Sequence, residues 1–135
     1  MKVVKYIEKL RDSGLRPTKQ RLEICKILFE TKKTFHFTIN DLAKKIKKEN
    51  NNHISLATIY NTVHAFEKKG YLKQIQINSN QTYFDTNITD HHHFYNLRDG
   101  KLIDLENSDV GPINIKKKIN GKKIKSIEVL VKLED

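Results

Sequence analysis

The chain has 135 residues, 26 basic against 16 acidic for a net charge of +10, and only 37% of it is hydrophobic. That length holds one ordinary domain or two small ones, and the modest apolar content leaves part of the core to be completed in an oligomer. One cysteine, Cys25, excludes an intramolecular disulfide framework and any Cys-x-x-Cys zinc clip, while the lack of a membrane-length apolar run or an N-terminal apolar signal core predicts a cytoplasmic protein with no membrane partner.

In chain order, residues 2–12 read as a helix stopped at Ser13-Gly14, and Leu15-Arg16-Pro17-Thr18 is a break. Pro17 or Thr18 opens a second helix that buries Leu22, Cys25, Ile27 or Leu28, and Phe29. His36 falls in the next loop, and Thr38 caps a third helix over about residues 39–49 with Leu42, Ala43 and Ile46 inward. Asn50-Asn51-Asn52-His53 makes a turn. A fourth helix then runs from an N-cap at Ser55 to a left-handed C-cap at Gly70, with Leu56, Ile59, Val63 and Phe66 as its buried stripe.

The other face of that helix carries Ala57, Tyr60, Asn61, His64 and Lys68, with no acid among them. A methyl and a flat ring can meet thymine methyls, an amide can read a base edge, and a lysine can reach phosphate. The bland alternative is an amphipathic helix with a solvated polar side. A hairpin, 72–77 and 81–86, turns at Asn78-Ser79-Asn80 and would be the wing of a winged helix-turn-helix. A chain this basic usually meets a polyanion, although lysine, isoleucine and asparagine are abundant throughout, as AT-biased coding gives.

After Thr86 short strands take over. Residues 92–97 and 101–105, joined by Arg98-Asp99-Gly100, read as a hairpin; 112–119 read as a short basic helix ending at Asn120-Gly121; 124–133 read as a strand. Such a module is too small to bury its own core, which predicts a homodimer. The expected class is α+β: an N-terminal winged-helix DNA-binding domain over 1–86 and a small C-terminal α/β dimerisation and sensor domain over 87–135.

His91-His92-His93 follows Asp85 and Asp90, and Asp104 lies one hairpin later. On a strand His91 and His93 share one side and His92 takes the other. His36, Asp85, His91, His93 and Asp104 together suit a borderline divalent ion, Fe2+, Mn2+ or Zn2+, and His91, His92 and His93 are also candidate haem ligands. A surface histidine run is the structural alternative. His53 and His64 belong to the DNA-facing half and read as ordinary polar residues.

Gly14-Leu15-Arg16-Pro17-Thr18-Lys19-Gln20-Arg21, Ser55-Leu56-Ala57-Thr58-Ile59-Tyr60 and Phe84-Asp85 through His91-His92-His93 together resemble the ferric uptake regulator family over nearly the whole chain. Within it, Phe84-Asp85-Thr86-Asn87 and Asp90-His91-His92-His93-Phe94-Tyr95 are most similar to the iron response regulator branch, which senses iron through haem. The resemblance implies a transcription regulator, not an enzyme, that binds an AT-rich palindromic operator as a dimer. It makes His36, Asp85, His91, His93 and Asp104 the regulatory metal site and places His92 in the haem-sensing cluster. It matches Tyr60 and Asn61 to base-reading positions and Arg16 to the basic residue that enters the minor groove; together with the face of the fourth helix the expected DNA contacts are Arg16, Ala57, Thr58, Tyr60, Asn61, His64 and Lys68. Asn96 and Asp99 stand where family members carry their first Cys-x-x-Cys, so no structural zinc held by four cysteines is expected. Cys25 is followed by Lys26 rather than the proline of a haem motif, and Lys116-Lys117-Lys118 offers no ligands for a second metal site. The rivals are a peroxide-sensing metal-dependent repressor of the same family, a small zinc hydrolase using His91, His93 and Asp104, and a non-specific architectural DNA protein.

Overall fold

The computed structural model describes residues 2–50 and 53–135 and divides into two compact units, Met1–Ile88 and Thr89–Asp135. The first unit holds α1 (Lys2–Asp12), α2 (Lys19–Phe29), β1 (His36–Phe37), α3 (Ile39–Asn50), α4 (Leu56–Lys69), β2 (Lys73–Asn78) and β3 (Gln81–Asp85). The second holds β4 (His92–Asn96), β5 (Leu102–Leu105), a 3-10 turn at Asn107–Asp109 and β6 (Leu130–Leu133). The mixture of helices and small sheets is the α+β class expected. Among the described residues no helix is long and apolar enough to cross a membrane.

Local chemistry sets the helix ends. The Thr18 hydroxyl accepts from the Arg21 N–H and opens α2, and Thr38 and Asp41 cap α3 reciprocally through side chain and backbone. Ser55 accepts from the Thr58 N–H at the start of α4, and Gly70 ends it at φ 87° with its N–H returned to the last turn. The core of the first unit gathers Leu10, Ile24, Cys25, Leu28, Leu42, Ile46, Ile59, Val63, Phe66 and Phe84. Thr62 is buried among them and donates its hydroxyl to the Thr58 carbonyl at 2.7 Å, so a polar group sits in the core without loss. Lys9 lies over the rings of Phe29 and Tyr71, and the Tyr71 hydroxyl donates to Asp12, which ties α1 to the exit of α4.

Two three-stranded sheets complete the chain, in the orders β1-β3-β2 and β5-β4-β6. In the second, β4 runs antiparallel to β5 and parallel to β6.

Several expectations need correction. Leu56 is 54% exposed, because the first turn of α4 overhangs the core that receives Ile59, Val63 and Phe66. Ile24, not singled out in α2, is fully buried, while Leu22 and Phe29 are only half-buried. His36 lies on a two-residue strand rather than in a loop. The expected turn at Asn50-Asn51-Asn52-His53 falls partly outside the described residues.

Residues 112–119 are irregular, not helical. Their isoleucines, Ile113, Ile115 and Ile119, do not share one helical face, and three successive lysines have no acid one turn away to offset them. Only the turn at Asn120-Gly121 forms, with Gly121 at φ 74° and the Lys122 N–H donating to the Ile119 carbonyl. The last strand is shorter than expected, Leu130–Leu133, because its parallel pairing with β4 begins only at Leu130, opposite His93.

Gly70 tests the α4 exit: a Cβ there would meet nothing within 4 Å, so only the backbone resists it. Gly70→Ala is therefore expected to destabilise the chain by about 1–2 kcal/mol, with Gly70→Asn costing less, as read from urea unfolding midpoints.

Candidate metal centre and nucleic-acid interface

In the second unit, β4 and β5 bring three of the predicted ligands together. His93 stands opposite Asp104 in the antiparallel register, and His91 immediately precedes β4. The Asp104 Oδ1 lies 3.5 Å from His91 Nε2 and 3.3 Å from His93 Nε2, and the two imidazole rings are 4.5 Å apart between centroids. One ligand atom from each of the three residues lies within 4.8 Å of the others. The His91 Nδ1–H donates to the Thr89 carbonyl at 2.8 Å, which assigns the tautomer and leaves the Nε2 lone pair turned toward Asp104. Both rings are buried, whereas Asp104 keeps an exposed side. Two imidazole nitrogens and a carboxylate, one ring already oriented by a backbone carbonyl, fit a borderline divalent cation.

In the first unit, His36 and Asp85 are direct cross-strand partners on β1 and β3. Opposed residues of an antiparallel pair project to the same side of a sheet. Asp85 is buried and accepts from the Asn87 N–H at 2.9 Å, and the His36 ring meets Tyr83 edge-on at 6.2 Å.

His92 takes the other side of β4, as the strand period requires, but it does not face solvent. It is buried, and its Nδ1 accepts from the Val129 N–H at 2.9 Å while the Val129 carbonyl accepts from the His93 N–H. The side of β4 that His92 takes is therefore packed, and the ring fastens the chain entering β6.

The residues expected from sequence to meet nucleic acid lie in the first unit. Ala57, Tyr60, Asn61 and Lys68 are exposed on α4, and Thr58 and His64 are half-buried. The Tyr60 and His64 rings contact at 4.3 Å, and His64 in turn meets Phe84 edge-on, so Tyr60 stands on a packed aromatic column. Thr58 accepts from the Ser55 hydroxyl within the helix cap and is the least available reader. Arg16 is exposed, and its carbonyl accepts from the Arg21 guanidinium at 3.1 Å. Arg16, Lys19, Arg21 and Thr58 line a cleft of about 460 Å³ at the start of α2. Lys19 and Arg21 were not singled out from sequence, although both follow the Pro17-Thr18 helix start and the helix N-terminus itself favours anions.

Cys25 is fully buried, and burial pushes its thiol up to about 12, only partly opposed by the Lys9 charge. Two outcomes follow. Native protein should resist thiol alkylation at pH 8, with Cys25 labelled only after denaturation. His92→Ala should leave the Val129 N–H without its partner, cost about 1–3 kcal/mol, and speed amide exchange across Leu130–Leu133, measured by hydrogen exchange.

The sequence profile of the Ferric uptake regulator family matches residues 12–133. The peroxide-responsive repressor PerR of Staphylococcus aureus is 31% identical over 100 residues, which cover 74% of this chain and 66% of that repressor's length, just under two thirds of it. Among solved structures, the ferric uptake regulator of Pseudomonas aeruginosa with manganese matches with a TM-score of 0.69 at 18% identity, covering 96% of this chain and 97% of its own. The Vibrio cholerae ferric uptake regulator matches at 0.70 and 19%, over 96% and 98%. The Campylobacter jejuni peroxide stress regulator matches at 0.62 and 22%, over 100% and 97%. At these identities the structural matches speak for the fold.

Proposed function

The chain belongs to the ferric uptake regulator family, and on that premise we propose that it is a metal-responsive transcription regulator that binds an AT-rich palindromic operator as a homodimer and catalyses no reaction. The observation that carries the DNA reading is the solvent face of α4, where Ala57, Tyr60, Asn61 and Lys68 stand exposed with no acid among them. Arg16, Lys19 and Arg21 add cations at the α2 start that suit backbone phosphate, with Thr58 and His64 at the margin of the face.

His91, His93 and Asp104 form the second unit's share of the regulatory site, and we assign His36 and Asp85 as the first unit's share. Asp85 precedes His91 by six residues, which limits their separation to roughly 20 Å of extended chain. A divalent ion held by both shares would supply a link between the DNA-reading unit and the second unit. The protein's own part is to hold each nitrogen and carboxylate ready: Thr89 fixes the His91 ring, Asn87 orients Asp85, and the β4–β5 register sets His93 against Asp104. Linkage then follows, since an ion that favours one arrangement of the units favours whichever DNA affinity belongs to it.

A second reading is favoured by the likeness to the peroxide-responsive repressor. In it the same five residues hold Fe2+ and oxidation of a ligand histidine ends DNA binding. A thiol mechanism is not available to Cys25, which is buried and held neutral. The haem reading of His91, His92 and His93 predicts instead a saturable Soret shift that a variant lacking all three histidines does not show.

Selection from random duplexes should yield a preferred site. Tyr60→Ala should weaken that site by about 1–3 kcal/mol while leaving random DNA unchanged; an unaltered site affinity would show that α4 is not the reader. His91→Ala with His93→Ala should abolish tight Mn2+ binding by calorimetry and make DNA affinity insensitive to metal. For the Fe2+-loaded protein, peroxide treatment distinguishes the two readings: prompt loss of DNA binding with an added oxygen on His36 or His91 supports the peroxide sensor.

A further inference from the structure

We propose that residues 111–127 form a basic arm that binds the phosphate backbone of duplex DNA independently of sequence. The segment holds six lysines, Lys116, Lys117, Lys118, Lys122, Lys123 and Lys125, and no acid. The rest of the second unit, 89–110 and 128–135, has three basic side chains against eight acidic ones. The arm thus reverses the sign of the unit that bears it, which makes it a local feature rather than part of a uniformly basic composition.

Every residue from 111 to 126 is exposed, and the backbone follows no helix or strand beyond the turn at Gly121. Where Lys2, Lys69 and Arg98 each have an acidic partner, no ion pair engages the six arm lysines among the described residues. All six lysines fall within residues 116–125, a charge density suited to a duplex that carries about one phosphate per 3.4 Å of axis on each strand.

Charge complementarity favours a polyanion, and the irregular backbone disfavours insertion into a bilayer. Entry into a bilayer interface calls for a segment that satisfies its own backbone, as an amphipathic helix does. This segment is irregular, and Ile113, Ile115, Ile119 and Ile124 do not collect on one helical face. A nucleic-acid backbone makes no such demand. The choice of duplex DNA among polyanions rests on the α4 reading above.

The test uses the full chain and a duplex of random sequence. Replacing all six lysines by glutamine should lower affinity at low salt by at least tenfold and flatten the plot of log affinity against log salt by about 3 or more, at roughly 0.9 per phosphate released. Replacing all six by arginine should keep the slope. An unchanged slope in the glutamine variant overturns the proposal. So does an unchanged slope accompanied by loss of binding to phosphatidylserine vesicles, or by dissociation in light scattering, since the arm would then serve a membrane or a second copy of the chain. Lysine acylation of the wild-type protein, read by mass spectrometry, needs no variant to fold: duplex should protect Lys116–Lys125, and equal labelling with and without DNA refutes the arm. Tyr60→Ala should leave the random-duplex slope intact, so the α4 reading and the arm fail separately.

Discussion

The packing of Ile59, Val63 and Phe66 into the core is the constraint on which the first unit depends. These side chains sit three and four residues apart, so their burial fixes the rotation of α4 about its own axis. Once that rotation is set, Tyr60, Asn61 and Lys68 have only one side left to occupy. Ser55 and Gly70 then fix where the exposed face begins and ends, and Tyr71 bonded to Asp12 holds the exit of the helix against α1. Each fully buried large side chain in such a core is worth roughly 1.5–3 kcal/mol. That exceeds what any single surface contact on the far side could oppose.

The second unit depends on a different period. Two-residue alternation along the chain sends His91 and His93 to one side and His92 to the other, so the three adjacent histidines do not share a face. The antiparallel register supplies Asp104 to the first pair, and the chain entering β6 supplies the Val129 N–H to the third ring. A run of identical residues thereby divides into a pair set against Asp104 and a strand fastener. The division has a physical consequence: the Val129 carbonyl also accepts from the His93 N–H, so the His92 ring and the His93 backbone are tied to the same residue.

Much of the architecture was legible because it is written locally. Helix caps, the glycine exit of α4, both hairpins and the alternation at His91–His93 follow from residues close in sequence. Even the Asp104 pairing follows from the hairpin turn that sets its register. The readings that failed depend on long-range partners. The strand at His36–Phe37 exists because β3 offers it an edge, supported by mutual bonds between Phe35 and Thr86, 51 residues away. The exposure of Leu56 depends on where the core ends, and the stripe alone does not say.

The segment after Pro112 shows the same limit from the opposite side. Its isoleucines and lysines are compatible with helix, strand or neither, since β-branched residues resist the helix weakly and lysine tolerates it. Short helices gain most of their stability from a buried face, and this segment buries none. With no core to select a period, the like charges of Lys116-Lys117-Lys118 become the dominant local term, and an extended backbone separates them furthest. The absence of a helix and the exposure of the lysines are therefore one result of the same balance. A polyanion would change that balance by removing the repulsion, so the arm's conformation and its ligand are coupled through charge.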